Sequence, residues 1–386
     1  MTYYTMQGQV PKKRHTQMRQ SNGQLYTEEL FGREGFSGRQ SLLYHITPPT
    51  NVTQVRDLGS VAREFSFLGP LVHRHLRTLT LPPPALQNAV DGRVILLGNE
   101  DVALGVAVVT EAMDYFYRTA EGDELFFVHQ GHGMIETIFG RLDYRSGDYV
   151  VLPVGTTYRV IPTAGEVTRL LVIEAQGQIA IPKRYMNEAG QMMEHAPFCE
   201  RDFRLPQLET HDEQGNFEVR VRARKQLTSF VLPFHPFDVV GWDGALYPYI
   251  FNIADFEPIT GRIHQPPPVH QTFSGENFVI CSFVPRKMDY HPEAIPVPYH
   301  HSNIESDEVL YYVDGHFMSR KGIEIGSLTL HPAGIAHGPH PGVVENSLGV
   351  ADTAEWAVML DAFHPLGLTA AALAIEDPQY MYSWRL

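Results

Sequence analysis

Short runs of alternating apolar and polar residues, broken every few positions by glycine or proline, dominate this chain. A period of two marks half-buried β-strands, because successive side chains on a strand point to opposite faces. Residues 124–162, ELFFVHQGHGMIETIFGRLDYRSGDYVVLPVGTTYRVIP, show the pattern, and residues 308–337, EVLYYVDGHFMSRKGIEIGSLTLHPAGIAH, show it again. Glu124 is followed seven residues later by Gly131, and Glu308 seven later by Gly315. Each copy then reaches a glycine that opens a short apolar strand, Gly147 to Leu152 and Gly326 to His331. Each strand leads into a Pro-X-Gly turn, Pro153 to Gly155 and Pro332 to Gly334. Three residues past that turn stand Tyr158 in the first copy and His337 in the second.

Repeated matches at fixed spacing predict an internal duplication. The expected fold is all-β, with two jelly-roll (double-stranded β-helix) barrels and few helices. The segments LQNAVDGRVILLGNEDVALGVAVVT and TRLLVIEAQGQIAI supply flanking strands to the first barrel. Short helical turns are expected near 187–195 and 367–376, where Ala, Leu, Met and Glu gather. The first eighty residues and roughly 176–234 read as irregular cladding and linker. The domain reading is therefore 1–195 for a degenerate N-terminal β domain, 196–234 for a linker and 235–386 for a C-terminal barrel.

Composition narrows the class. Hydrophobic residues make up 43% and charged residues 19%, a balance that supports a sizeable core and no long disordered stretch. The formal net charge of −14 excludes a nucleic-acid binder, which needs clustered Lys and Arg to neutralise phosphates. No run approaches the roughly 20 apolar residues of a membrane span, and the opening MTYYTMQGQVPKKRHTQ carries no apolar stretch of a secretory signal. Two cysteines, Cys199 and Cys281, make no disulfide framework. The expectation is a soluble cytoplasmic protein.

Histidine is unevenly spread. Of 19, His291, His300, His301, His316, His331, His337 and His340 fall within fifty residues. Imidazole is the commonest transition-metal ligand, so a site belongs here. Gly326-X5-Pro332-X-Gly334-X2-His337, with the earlier His301 and Glu308-X6-Gly315, resembles the two signature motifs of the cupin superfamily, and with the duplication the resemblance implies a bicupin. Alternate side chains of a barrel strand face its interior, and a Pro-X-Gly turn returns the next strand with its third residue inward. His301, Glu308 and His337 thereby form the candidate metal site. Asp307 competes with Glu308 and His300 with His301, because a shift of one residue flips a side chain across the strand. Two imidazoles and a carboxylate with open positions suit a non-haem Fe(II) oxygenase. The first copy offers Tyr115, Phe116, Tyr117 and Arg118 ahead of Glu124 and then Tyr158, so no metal is expected there.

The whole chain resembles the homogentisate 1,2-dioxygenase family. The resemblance runs through Gln24 to Gly32, Ser41 to Ile46, Glu121 to Glu124, Ile138 to Gly140, Pro236 to Trp242, Pro298-Tyr-His-His-Ser-Asn303 and His337-Gly-Pro339. It implies Fe(II) held by two His and one Glu, with O2 and a small aromatic substrate at the open positions. The implied reaction is extradiol-type cleavage of homogentisate or a related hydroquinone-type aromatic acid, in a homo-oligomer. Asp243 stands where the family has a histidine after the tryptophan, Phe317 where it has a tyrosine and Ser302 where it has an arginine. His331 matches a family active-site histidine, so Asp243 and His331 are the catalytic candidates. Tyr299, His300, Asn303, Trp242 and His340 are the candidate substrate contacts. His264 and His270 bracket a Pro-rich loop that reads as structural first and as a cover for the barrel mouth second, and Arg286 and Lys287 as a solvated pair first and a contact for a substrate carboxylate second. The isolated His45, His73, His75, His195 and His211 read as structural. Two other functions share the motif: a metal-dependent cupin isomerase or lyase that uses no O2, and a non-catalytic small-ligand-binding bicupin.

Overall fold

A computed structural model describes residues 3–315, 317 and 322–385. Among these residues β-strands dominate the regular structure, which otherwise holds short 3-10 turns and two short α-helices, Val343–Ser347 and Ala370–Ala374. No helix among them is long and apolar enough to cross a membrane.

The alternation read in the sequence decides the layering. Strand Glu124–Gln130 sends Phe126 and Val128 into the N-terminal barrel and Leu125 and Phe127 into a second core outside it. Strands Asp148–Leu152 and Thr168–Ala175 do the same: Val150, Leu152, Leu170 and Val172 point inward, and Tyr149, Val151, Leu171 and Ile173 outward. Both faces of this eight-stranded sheet are covered, which is why its strands read as nearly continuous apolar runs. The outward face packs on the C-terminal barrel through Phe273, Ile280, Val309, Tyr311, Leu330, Val358 and Leu360. In strand Asp307–Asp314, Val309 and Tyr311 are thereby committed to the shared core, and Glu308, Leu310 and Tyr312 to the barrel interior. That parity places the site.

The duplication is visible in the backbone. Gly131 and Gly315 lie at φ of 99° and 94°, Gly147 and Gly326 at 86° and 79°, and Gly155 and Gly334 at 85° and 88°. These are left-handed positions where a side chain is strained, so the spacing of glycines records equivalent turns.

The two barrels are interleaved. Strand Arg74–Leu76 is the edge of the six-stranded C-terminal sheet, where Leu76, His75 and Arg74 pair with Leu328, Thr329 and Leu330. In return, Gly367–Leu368 pairs with Gly98 and Leu97 in the N-terminal eight-stranded sheet. The stretch 196–234, read as linker, holds the hairpin Gln214–Ala223 and Gln226–Phe234, which belongs to the seven-stranded sheet of the N-terminal barrel. Residues 235–252, assigned by sequence to the C-terminal barrel, instead contribute Val239–Gly244 and Tyr249–Asn252 to sheets of the N-terminal half. Strand partners far apart in sequence leave no local signal, so boundaries drawn from composition missed them. The helical turn expected near 367–376 is the helix Ala370–Ala374, capped by the Thr369 side chain. Residues 187–195 form no helix; Asn187 and Gly190 turn the chain so that Met186 bridges Met192.

Candidate metal centre

Three elements converge on one point of the C-terminal barrel. Glu308 lies on strand Asp307–Asp314, directly across from His331 on Leu328–His331. His301 and His337 lie beyond the strands and bridge each other, with His301 N to His337 O at 2.8 Å and the reverse bond at 2.9 Å. His301 Nε2 approaches Glu308 Oε2 at 3.5 Å, and His337 Nε2 approaches Glu308 Oε1 at 3.3 Å. One donor atom from each of His301, Glu308 and His337 falls within 4.8 Å of the others.

The geometry separates the members of each one-residue pair. Asp307 faces the opposite side of the strand from Glu308, where its two oxygens accept from Ala333 N at 2.7 Å and Leu366 N at 2.8 Å. His300 is not one of the converging donors and packs its Cα and ring on Gly338, where an added Cβ would stand 2.7 Å from His300 Cα. His301 Nδ1 donates to Tyr299 O at 3.2 Å, which leaves Nε2 to face Glu308. This is the carbonyl contact that fixes the tautomer of a ligating imidazole.

The donor set fits a divalent cation. Burial alone would raise the Glu308 carboxyl; contacts with His301, His331 and His337 instead hold it well below the ordinary range. The ring nitrogens of His337 are buried without a well-formed hydrogen bond, and an ion at the cluster would satisfy Nε2, the one that faces Glu308. Across the strand on the other side, burial and the neighbouring Glu308 push Asp361 up to about 7, against the pull of His301.

The other expected site residues divide. His331 is fully buried; Nδ1 donates to Glu308 Oε1 at 2.8 Å and Nε2 meets Tyr380 OH at 3.1 Å. Tyr299 is exposed and packs edge-on to His264 at 5.1 Å. Asn303 accepts from Gly334 N through its carbonyl at 2.9 Å. His340 turns toward the C-terminal segment, stacked on Trp384 at 4.3 Å with Nε2 on Ser383 Oγ at 2.7 Å.

Trp242 and Asp243 do not join the cluster. Their strand is held between Thr5–Gly8 and Ser37–His45 in a separate four-stranded sheet. Alternation sends Trp242 into a core with Phe139 and Tyr247, its indole N–H donating to Phe139 O at 2.9 Å. It sends Asp243 to the other face, where Oδ2 accepts from Tyr4 OH at 2.7 Å and lies 3.9 Å from Arg14. Phe317 lines the cavity beside Tyr312, with ring centroids 4.6 Å apart. His316 lies outside the described residues.

A cavity of about 140 Å³ opens beside His301 and Glu308. Phe283, Leu310, Tyr312, Phe317 and Met359 form its apolar wall, and the loop His264 to His270 contributes to its mouth. Arg286 also lines it, but its guanidinium is engaged by Glu355 at 3.3 Å and by Val284 O at 3.1 Å.

His73, set aside in the sequence as isolated, packs edge-on against His331 and His337 at 5.2 and 5.7 Å and donates from Nε2 to Ala336 O at 3.0 Å. Tyr380 and Trp384 close the same side. No spacing rule links them to the ligands, because each is brought in by long-range pairing.

The corresponding position of the first barrel is filled from within. Glu124 and Tyr158 replace Glu308 and His337, and the fully buried Arg93 guanidinium lies between them. Arg93 Nη2 donates to Tyr158 OH at 2.7 Å, Tyr158 OH donates to Glu124 Oε2 at 2.8 Å, and Arg93 Nη1 reaches Glu174 at 3.0 Å. A side-chain cation stands where the second copy gathers metal donors.

The family model described as Homogentisate 1,2-dioxygenase N-terminal matches residues 2–253. A provisionally named dioxygenase of Saccharolobus solfataricus is 40% identical over 390 residues, covering 100% of this chain and 99% of its own. Homogentisate 1,2-dioxygenase of Rhodopseudomonas palustris is 26% identical over 415 residues, covering 98% and 90%. The solved E. coli protein Ylba aligns at a TM-score of 0.39 with 8% identity, covering 78% of this chain and 94% of its own.

Proposed function

This chain belongs to the homogentisate 1,2-dioxygenase family, and from that premise we propose that it cleaves a hydroquinone-type aromatic acid, homogentisate or a relative, with O2 at an Fe(II) ion held by His301, Glu308 and His337. The observation that carries the reading is the convergence of those three donors on the wall of a cavity. Iron(II) there supplies Lewis acidity at a phenolic oxygen and the redox capacity to engage O2.

The protein supplies position and dryness. His331 pins Glu308 Oε1 and is itself held by Tyr380, so the carboxylate is aimed before any ion arrives. Tyr299 O aims His301 in the same way. The cavity matches one ring: space of about 150 Å³ in an apolar core accommodates benzene, against about 140 Å³ here. Phe283, Leu310, Phe317 and Met359 line the space such a ring would take and would shield it from water. Phe317 offers no hydroxyl to a ring substituent, which supports a substrate related to homogentisate as readily as homogentisate itself. Two free cysteines support a reducing cytoplasm. The exposed edge strand Gln54–Ser60 supports assembly of several copies.

The test is oxygen consumption by anaerobically Fe(II)-loaded protein across a panel of hydroquinone acids, with ring-opened products followed by mass. One member should be consumed with stoichiometric O2 uptake. Absence of uptake with every member overturns the proposal.

A further inference from the structure

We propose that His211, Glu213 and His235 hold a second divalent metal ion, of the zinc class, in the N-terminal half of the chain. Their donor atoms lie within 4.8 Å of one another. The backbone prepares this arrangement: His211 N donates to Phe237 O and His235 N to Glu213 O, both at 3.0 Å. Residues 211, 213 and 235 therefore share one face of a two-stranded ribbon. Thr210 Oγ1 anchors that ribbon to Val239 O at 2.8 Å.

The side chains are chemically suited. His235 is buried among Phe116, Phe217 and Phe237, with ring centroids 5.0 to 5.3 Å away, so its orientation is fixed. Burial, then His211 and Arg159, hold it down to about 4 against the pull of Glu213, so the ring is neutral at neutral pH. The Arg159 charge is itself met by Glu136 at 2.6 Å. His211 is stacked parallel to His235 at 4.1 Å with its Nδ1 3.4 Å from Glu213, so this more exposed ring turns on binding to bring both lone pairs to one ion. His211 and Glu213 on the solvent side, with the buried His235 behind them, leave the remaining positions to water, as borderline cations accept. Phe237 N donates to His235 Nδ1 at 3.1 Å. Ligation through Nε2 moves the ring proton to Nδ1 and sets it against the Phe237 N–H, which costs roughly 5- to 150-fold in affinity. The site is thus weaker than a fully prepared one, and it stands independently of the cluster at Glu308.

Metal-stripped full chain is dialysed against low-micromolar free Zn2+ and bound zinc is counted per chain. His211→Asn and Glu213→Gln, both on the solvent side, should each bind one zinc fewer than wild type while keeping the zinc that Glu308→Gln removes. His235→Phe, whose ring suits the aromatic cage, should lose the same equivalent. Equal zinc in wild type and His211→Asn overturns the site, whatever Glu308→Gln does. If His235→Phe does not fold, the two surface variants still decide.

Discussion

His301 and His337 exchange both of their backbone hydrogen bonds, at 2.8 and 2.9 Å, across 36 positions of sequence. This bridge sets the two imidazoles 4.2 Å apart on the side that Glu308 faces. Gly338 lets the strands approach, since a Cβ there would lie 2.7 Å from His300 Cα. Gly338→Ala should therefore weaken metal affinity at least about tenfold, with a stability loss of about 1–3 kcal/mol. Metal titration and thermal melting of the variant measure both; unchanged affinity refutes the role given to the bridge.

Glu308 and Asp307 are neighbours with opposite tasks. Glu308→Ala should abolish metal retention and turnover. Asp307→Ala removes the acceptor for two backbone amides and should cost about 2–4 kcal/mol of stability while metal binding survives in the folded fraction. Metal content per folded chain separates them, and the reverse result would show that the strand register is wrong.

His331 acts on Glu308 rather than facing the cavity. His331→Gln should lower metal affinity about 10- to 100-fold, and Tyr380→Phe should lower it less. Both should be read by metal titration as well as by kcat. A His331→Gln variant with wild-type metal affinity and reduced turnover would instead place His331 in direct contact with substrate.

Arg93 fills the first barrel. Arg93→Met would leave Glu124 and Glu174 buried with less compensation, and breaking such a pair costs about 3–5 kcal/mol. The expected result is a large fall in the denaturant midpoint without loss of metal from the second barrel. A near-neutral midpoint would mean that Arg63 and Arg222, both bound to Glu174, carry the network alone.

Stability should also depend on His45. Burial alone would lower its pKa, but Asp238 at 2.7 Å and then Glu29 at 2.9 Å raise it to about 9. Because the folded value exceeds the ordinary 6.5, the contribution is complete below pH 6.5 and is lost as pH rises through 9. The loss is on the order of 3 kcal/mol. Denaturant unfolding at several pH values should show this decline in wild type and a flatter profile in His45→Gln.

By itself the sequence determined whatever depends on local period and spacing. Strand character follows from alternation, the duplication from glycine-marked turns, and the grouping of His301, Glu308 and His337 from the resemblance to two cupin motifs, with strand parity bearing on Glu308 and the Pro-X-Gly turn on His337. Each of those patterns is written within a stretch of about forty residues. Tertiary structure alone decided the rest. It placed His73, Tyr380 and Trp384 around the ligands, put Arg93 between Glu124 and Glu174, and carried Trp242 and Asp243 into a different sheet. It also exchanged edge strands between the barrels. Hydrogen bonding between strands has nearly the same geometry whichever segments meet, so a strand's own residues do not name its partner. Partner choice falls to the packing of whole sheets, where side chains hundreds of residues apart compete for the same buried surface.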